Sequence, residues 1–462
     1  MLFPIQGLNM LVQSGNVFSP NNSNYVCCMG SLQHGVERRV RKLMLCIGIA
    51  VGLLIIVSEA KAQEKNIYLY GKVTTINADK YQGALRWGGD EVYWVDLFNA
   101  QKTSSDFLKF LSKKEIQQIS DQEGGSSWLG IDLGVLSIWD DKYSRTNHQF
   151  DARFGDIKSI KPTGRSRAQV TLKNGVIVEV SGSGFADVGT SVSVYDEELG
   201  IVKLDWARIE KVEFLESGKT PKSLFGEAIY GKVKAGRRGI FEGVIQWDQG
   251  TSENNHNERF LEDILNGKDR DGDKNIPFRS ITKIIKNGNG VDVTLKSGRE
   301  FHLTGSNDVN HENSGVVIYD REIGQIIVSW RDFEELEIIE SKNQGPSYSE
   351  FPSSTGLRGT VINRDGEKIS GLIAYDLDEA WEYETLDGQD DRVIYKIPFR
   401  NIKNIIPKNY SYSMVILRNG KELLLGESRD VSEDNDGVLI FTSKDAKPTY
   451  IRWSQIDEII FD

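Results

Sequence analysis

Short apolar runs, bounded by turn-forming residues, recur along most of the chain, as in Val176-Ile177-Val178-Glu179-Val180 and Ile326-Ile327-Val328-Ser329-Trp330. Runs of this length, rich in β-branched side chains, predict strands, because branched residues pack well on a pleated surface. Only Leu43–Val57 departs from the pattern as a longer unbroken apolar run, of 15 residues.

The strand pattern repeats. Gly71-Lys72-Val73 stands 12 residues before Gly83, Gly231-Lys232-Val233 stands 12 before Gly243, and Gly359-Thr360-Val361 stands 12 before Gly371. An aromatic follows each second glycine: Trp87, Trp247 and Tyr375. Acidic and apolar residues come next, at Asp96–Asn99, Asp263–Asn266 and Glu384–Asp387. A Phe-x-x-Ile-x-x-Ile motif closes this half at Phe154, Phe278 and Phe399. A second half then begins with VTLKNG (170–175), VTLKSG (293–298) and VILRNG (415–420), each a strand running into a turn. It continues through Asp187-Val188, Asp308-Val309 and Asp430-Val431, and ends on Trp206, Trp330 and Trp453, each three residues before an apolar partner. Agreement at so many positions predicts three tandem copies of one two-part unit.

The three-residue spacing of the closing motifs predicts a single helical turn before a final strand. Each half then supplies about five short strands in roughly 50–60 residues, the pattern of a small, strongly bent barrel or sandwich. The expected fold class is all-β: three tandem repeats, each of two halves whose pattern resembles SH3-like small barrels. A barrel of that size is marginal alone, so the halves are expected to pack as units of about 110–130 residues. The expected boundaries are 63–217, 226–341 and 356–462, with linkers near 217–225 and 341–355 where Ser, Gly, Lys and Pro cluster. Repeat one carries an insertion at about 100–150. There Ser104-Ser105-Asp106 looks like a helix start, and Phe107, Leu108, Leu111, Ile116 and Ile119 form an apolar stripe.

Leu43–Val57 is short of the roughly 20 residues that span a bilayer and suits a signal-peptide core. Arg38, Arg39, Arg41 and Lys42 precede it, and Ala60-Lys61-Ala62 offers a cleavage site before Gln63. The chain is therefore expected to be exported, secreted or periplasmic, with residues 1–62 as leader; an uncleaved signal is the expected alternative and the only membrane attachment. Residues 1–28 match no signal element, which leaves Met1 and Met29 as alternative starts. Cys27, Cys28 and Cys46 all fall in the leader, so the remainder has no thiol for disulfides, catalysis or zinc. The whole chain carries 56 basic and 67 acidic residues. Removing the leader leaves 51 and 65, a net −14, which argues against nucleic acid as a partner.

Catalytic signatures are scarce. Of the four histidines beyond the leader, His302 and His311 flank Asp308, a weak metal pattern. Asp269, Asp271 and Asp273 resemble the start of a calcium loop, but Lys274 occupies the position that needs Gly and Ser280 the one that needs Glu. Calcium is thus the only cofactor the sequence suggests, and a solvated hairpin tip is the favoured reading. The recurring Asp187, Asp308 and Asp430 are expected to cap turns, and the recurring tryptophans to fill cores. Trp94, Trp128, Trp139 and Trp381 fall outside the shared core positions, beside acidic residues or in the insertion, and are the expected exposed contact surface. The leading functional expectation is a non-catalytic binding or scaffold module of the cell envelope, taking a protein or glycan partner. The alternative is a glycan-acting hydrolase with a carboxylate pair near the insertion.

Overall fold

The computed structural model describes residues 65–89, 91–104, 107–122, 149–217, 228–248, 264–340 and 345–462. Residues 1–62, Trp128 and Trp139 lie outside them. The described chain is nearly all β, with antiparallel sheets and few helical turns. Among the described residues no helix is long and apolar enough to cross a membrane.

The first segment holds β1 (Tyr70–Thr75), β2 (Lys80–Trp87), β3 (Leu97–Lys102), β4 (Gln149–Arg153), β5 (Ile157–Gly164), β6 (Arg167–Leu172), β7 (Ile177–Ser181), β8 (Val192–Asp196), β9 (Gly200–Leu204) and β10 (Ile209–Phe214). The second holds β11 (Tyr230–Ala235), β12 (Gly239–Trp247), β13 (Ile264–Asp269), β14 (Gly272–Pro277), β15 (Ile281–Asn287), β16 (Gly290–Leu295), β17 (Glu300–Leu303), β18 (Val316–Asp320), β19 (Gly324–Val328) and β20 (Phe333–Ile338). The third holds β21 (Arg358–Asn363), β22 (Lys368–Tyr375), β23 (Thr385–Asp390), β24 (Val393–Pro398), β25 (Ile402–Pro407), β26 (Tyr412–Leu417), β27 (Glu422–Gly426), β28 (Val438–Phe441), β29 (Thr449–Ile451) and β30 (Ile456–Phe461). In the first segment the strands lie side by side in the order β4-β3-β7-β6-β5-β10-β1-β2-β8-β9. The corresponding strands of the other two segments make the same pairings, the third-to-seventh link being a single bridge, Lys268 to Thr304, in the second and Gln389 to Gly426 in the third.

This order departs from self-contained halves. The hairpin β1–β2 belongs to the first half, yet its two free edges are taken by β10 and β8 of the second. Conversely, the second-half hairpin β6–β7 is flanked by β5 and β3 of the first. Each half alone would leave both edges of its leading hairpin unpaired, and exchanging partners fills them.

The paired glycines explain how three strands crowd together. Gly71 faces Gly83, Gly231 faces Gly243, and Gly359 faces Gly371. A Cβ on Gly83 would sit 1.6 Å from the carbonyl oxygen of Tyr195, and one on Gly71 2.5 Å from that of Glu213. Only glycine lets β8 and β10 approach so closely. Beneath these pairs the recurring aromatics meet. Trp87 contacts Phe154 and Trp206 at centroid distances of 5.5 and 6.1 Å. Trp247 meets Phe278 and Trp330 at 5.8 and 6.0 Å, and Tyr375 meets Phe399 and Trp453 at 5.1 and 6.0 Å. The closing motifs form 3-10 turns at Phe154–Asp156, Trp206–Arg208, Phe278–Ser280, Phe399–Asn401 and Trp453–Gln455, each holding its aromatic inward.

In the insertion, helix α1 spans Lys113–Gln122 and begins later than Ser104. Ser112 and Glu115 explain this: the Glu115 N–H donates to Ser112 Oγ and the Ser112 N–H donates to Glu115, a capping box at the S-x-x-E spacing. Ile119 packs with Ala374, Leu377 and Leu439, so the described part of the insertion rests on the third segment. The expected linker at 341–355 is also structural where described. Ser347 and Glu350 cap a 3-10 turn, and Tyr348 and Phe351 join the first segment's core. Lys173 Nζ lies 3.5 Å from the centre of the Tyr348 ring, and burial lowers its pKa to about 8.

The segments meet in three different ways. Strand β19 pairs with β24, joining the second and third segments into one 18-stranded sheet. Ile67, Tyr68 and Tyr93 pack on Val244, Val317 and Tyr319 between the first and second. Ion pairs, described next, tie the first to the third.

Candidate functional site

Where the segments converge lies a cleft enclosing about 880 Å³, counting the space open to solvent. Val95 and Leu97 of the first segment, Tyr230, Val244 and Tyr319 of the second, and Pro398 of the third give it apolar walls. Its charged groups come largely compensated. Lys65 pairs with Glu350 at 2.8 Å, Arg153 with Asp156 at 2.9 Å, Lys396 with Asp151, and Tyr230 donates its hydroxyl to Glu242 at 3.2 Å. Asp320 accepts the backbone N–H groups of Glu322 and Ile323, capping its own turn. This arrangement can hold an amphipathic ligand. Among the described residues, each carboxylate lining it, Glu242, Asp320 and Glu350, accepts at least one hydrogen bond.

Behind the cleft wall, Asp96 occupies the junction of two segments. Its Oδ2 accepts the N–H groups of Val92 and Tyr93, and its Oδ1 accepts from Gln246 Nε2 at 3.1 Å. Tyr319 in turn donates to Gln246 Oε1 at 3.0 Å. Complete burial pushes the Asp96 carboxyl up to about 7, against the pull of these hydrogen bonds.

A second polar centre sits between the first and third segments. Lys102 Nζ reaches Asp378 at 3.0 Å and Glu384 at 2.6 Å. Burial alone would lower its pKa, but the carboxylates of Asp378, Glu384 and Glu379 outweigh that and hold it charged, well above the usual lysine range. Nearby, Arg429 bridges Asp376 and Asp436, and burial lifts Asp376 to about 6. Glu379 and Asp430 are raised well above their ordinary values, by burial first and neighbouring carboxylates second. Asp376, Asp378, Glu379, Glu384, Asp430 and Asp436 are enclosed rather than presented in an open cleft.

The recurring aspartates turn out to be cross-chain staples. Asp187 Oδ2 accepts the backbone N–H of Asn99, Asp308 Oδ2 that of Asn266, and Asp430 Oδ2 that of Asp387. Their own carbonyls accept from Trp87 Nε1, Trp247 Nε1 and the Tyr375 hydroxyl. The expected local turn cap is thus a bond that fixes β3, β13 and β23 against the aromatic core. Where the first two segments place Asn99 and Asn266 as donors to that carboxylate, the third places Asp387, which burial raises to about 6.

Of the tryptophans expected to be exposed, Trp94 is 1% exposed, packed against Tyr348 and Phe214. The connection at 345–351 covers it, a contact invisible in a local pattern. Trp381 is half-buried against the same core. Trp128 and Trp139 lie outside the described residues. Asp269, Asp271 and Asp273 form the β13–β14 hairpin tip, where Lys274 Nζ stands 2.7 Å from Asp269 Oδ1 and the Asp271 N–H donates to the same oxygen. A lysine thus occupies the approach a cation would need. Among the described residues no group of three His, Cys, Asp or Glu side chains is arranged to hold a metal ion. His302 pairs with Asp292 at 2.7 Å, not with Asp308.

The cleft and the Lys102 centre were missed from sequence because each assembles residues from different segments. The only local signal was the acidic residue at 96 and 384. No family model, curated protein or solved structure matches this chain.

Proposed function

We propose that this chain is an exported, non-catalytic protein of the cell envelope that binds a protein or glycan partner, or scaffolds its assembly. It is built as three tandem copies of one ten-strand unit. Each copy reads as two SH3-like small barrels that have exchanged hairpins: first, second, eighth, ninth and tenth strands in one, third to seventh in the other. The shared pairing order and the 3-10 turns before every fifth strand and before β10 and β30 support that reading. The observation that carries the functional proposal is the cleft, apolar in its walls, lined by all three segments and charge-balanced at its rim. The hydrolase alternative draws no support from Asp378 and Glu384, which are enclosed around Lys102. The leader-like 43–57 run and its A-x-A site support export.

A glycan and peptide array probed with the purified chain tests the binding role, with Tyr230→Ala as the cleft variant. Retention of a ligand class by the parent and its loss in the variant is the expected result. An array with no binder, or binding indifferent to Tyr230→Ala, overturns the cleft assignment. N-terminal sequencing of the protein from the cell envelope or medium, expected to begin at Gln63, tests export separately.

A further inference from the structure

The ninth strand of each segment ends its run of paired strands, and the three ends are treated differently. In the second segment, β19 is covered by β24 across four residue pairs, from Gln325 opposite Lys396 to Val328 opposite Val393. In the third, the insertion covers the end: Tyr450 of β29 packs on the cluster containing Ile119, and Phe110 lies 5.2 Å from Phe441. In the first, β9 pairs with β8 alone among the described residues. Ile201 on this strand is 51% exposed, and Leu199 in the turn before it 66%. An open, apolar strand edge is a template for another strand, and proteins ordinarily blunt or cover it.

The molecule also has one open strand of the kind that covers β19. The fourth strands are β4, β14 and β24. Strand β24 is used on β19, and β4 is packed against the third segment through Asp151 on Lys396 and Phe150 on Tyr383. Strand β14 pairs only with β13 among the described residues, and Gly272, Asp273 and Asn275 are exposed. Gly200 corresponds to Gly324, because each faces the equivalent aspartate, Asp196 or Asp320. Gly272 corresponds to Val393 by the same logic, opposite Asp269 and Asp390. Transferring the β19–β24 register then sets Ile201 opposite Asn275, Val202 opposite Lys274, and Lys203 opposite Asp273.

We propose that β9 of one copy takes β14 of a second copy of this chain as its neighbouring strand, in the register of β19 on β24. The main-chain ladder supplies the attraction, and Lys203 facing Asp273 selects the partner strand and its register. The contact joins two different strands, so it is heterologous and extends to a ring or a series of copies unless its geometry closes.

Sedimentation velocity of the purified chain over a range of concentrations tests this. The parent is expected to associate reversibly. Lys203→Glu alone and Asp273→Lys alone are each expected to weaken association by about five- to tenfold, since like charges directly opposite on neighbouring strands repel. The double variant Lys203→Glu/Asp273→Lys is expected to regain the parent's affinity to within about twofold. Lys203→Glu should keep the parent's thermal midpoint, whereas Asp273→Lys also sets a lysine opposite Lys268 of β13, so its weakened association is read together with the double variant's recovery. A chain that stays monomeric up to about 500 μM, association indifferent to both reversals, or a double variant no better than either single one would overturn the proposal. The last outcome would also point to a different occupant, such as a second β9.

Discussion

Asp96→Asn should change how the stability of this protein depends on pH. Asp96 is fully buried between the first and second segments, and its carboxyl is raised from 3.8 to about 7. An acid whose pKa is raised on folding favours the folded state fully below its unfolded value. That contribution disappears as pH climbs through the folded value. Asp96 therefore costs nothing below pH 3.8, and its penalty grows through the interval up to about pH 7. At roughly 1.36 kcal/mol per unit, a rise of about three units is worth up to about 4 kcal/mol. Asparagine does not titrate and keeps one oxygen for the N–H groups of Val92 and Tyr93. Its amide must face Gln246, whose side chain then has to rotate and disturb the Tyr319 bond, a pH-independent cost of about 1 kcal/mol. Urea unfolding at pH 4, 5, 6, 7 and 8 reads the balance. The variant should be slightly weaker than the parent at pH 4 and stronger at pH 8, with the curves crossing between. Parallel pH profiles for the two proteins would refute the account of Asp96.

Two further substitutions test the packing. Gly83→Ala should cost more than about 4 kcal/mol and deplete soluble protein, because its Cβ meets backbone at Tyr195 and nothing there can give way. Gly164→Ala, with its nearest neighbour at 3.7 Å, should stay within about 0.5 kcal/mol of the parent in urea unfolding. Lys102→Met should destabilise by about 3–5 kcal/mol at pH 8, since it leaves Asp378 and Glu384 buried without their cation. Its deficit should shrink as pH falls and Glu384, whose carboxyl burial already raises, takes up a proton; a pH-independent deficit would contradict the ionic role.

What could be read from the chain alone followed from periodicity. The 12-residue glycine spacing, the Phe and Trp closures and the Asn-Gly turns located strands, 3-10 turns and the buried aromatics Trp87, Phe154, Trp206, Phe278, Tyr375, Phe399 and Trp453. Each of these is set by neighbours within one hairpin or one helical turn, where steric demands leave few residue choices. Gly71 opposite Gly83, and Asn174-Gly175 with Gly175 at a φ of 87°, are of this kind.

The residues misread from sequence are those whose surroundings come from elsewhere. Trp94 reads as a loop aromatic beside acids until Tyr348 lies on it from more than two hundred residues away. Asp187 reads as a turn cap until it bonds Asn99. Two halves of matching pattern leave open which edges meet; β8 and β10 flank the β1–β2 hairpin and β3 and β5 flank β6–β7, a choice that alternation along a single strand does not encode. The sequence by itself thus determined the strands, their faces and the recurrence of the pattern, because those depend on local geometry. Tertiary structure alone decided which edges are covered, which charges are buried together and where a cleft opens. Those outcomes depend on how three similar segments, with different surfaces, dispose of the edges and charges that none of them can satisfy alone.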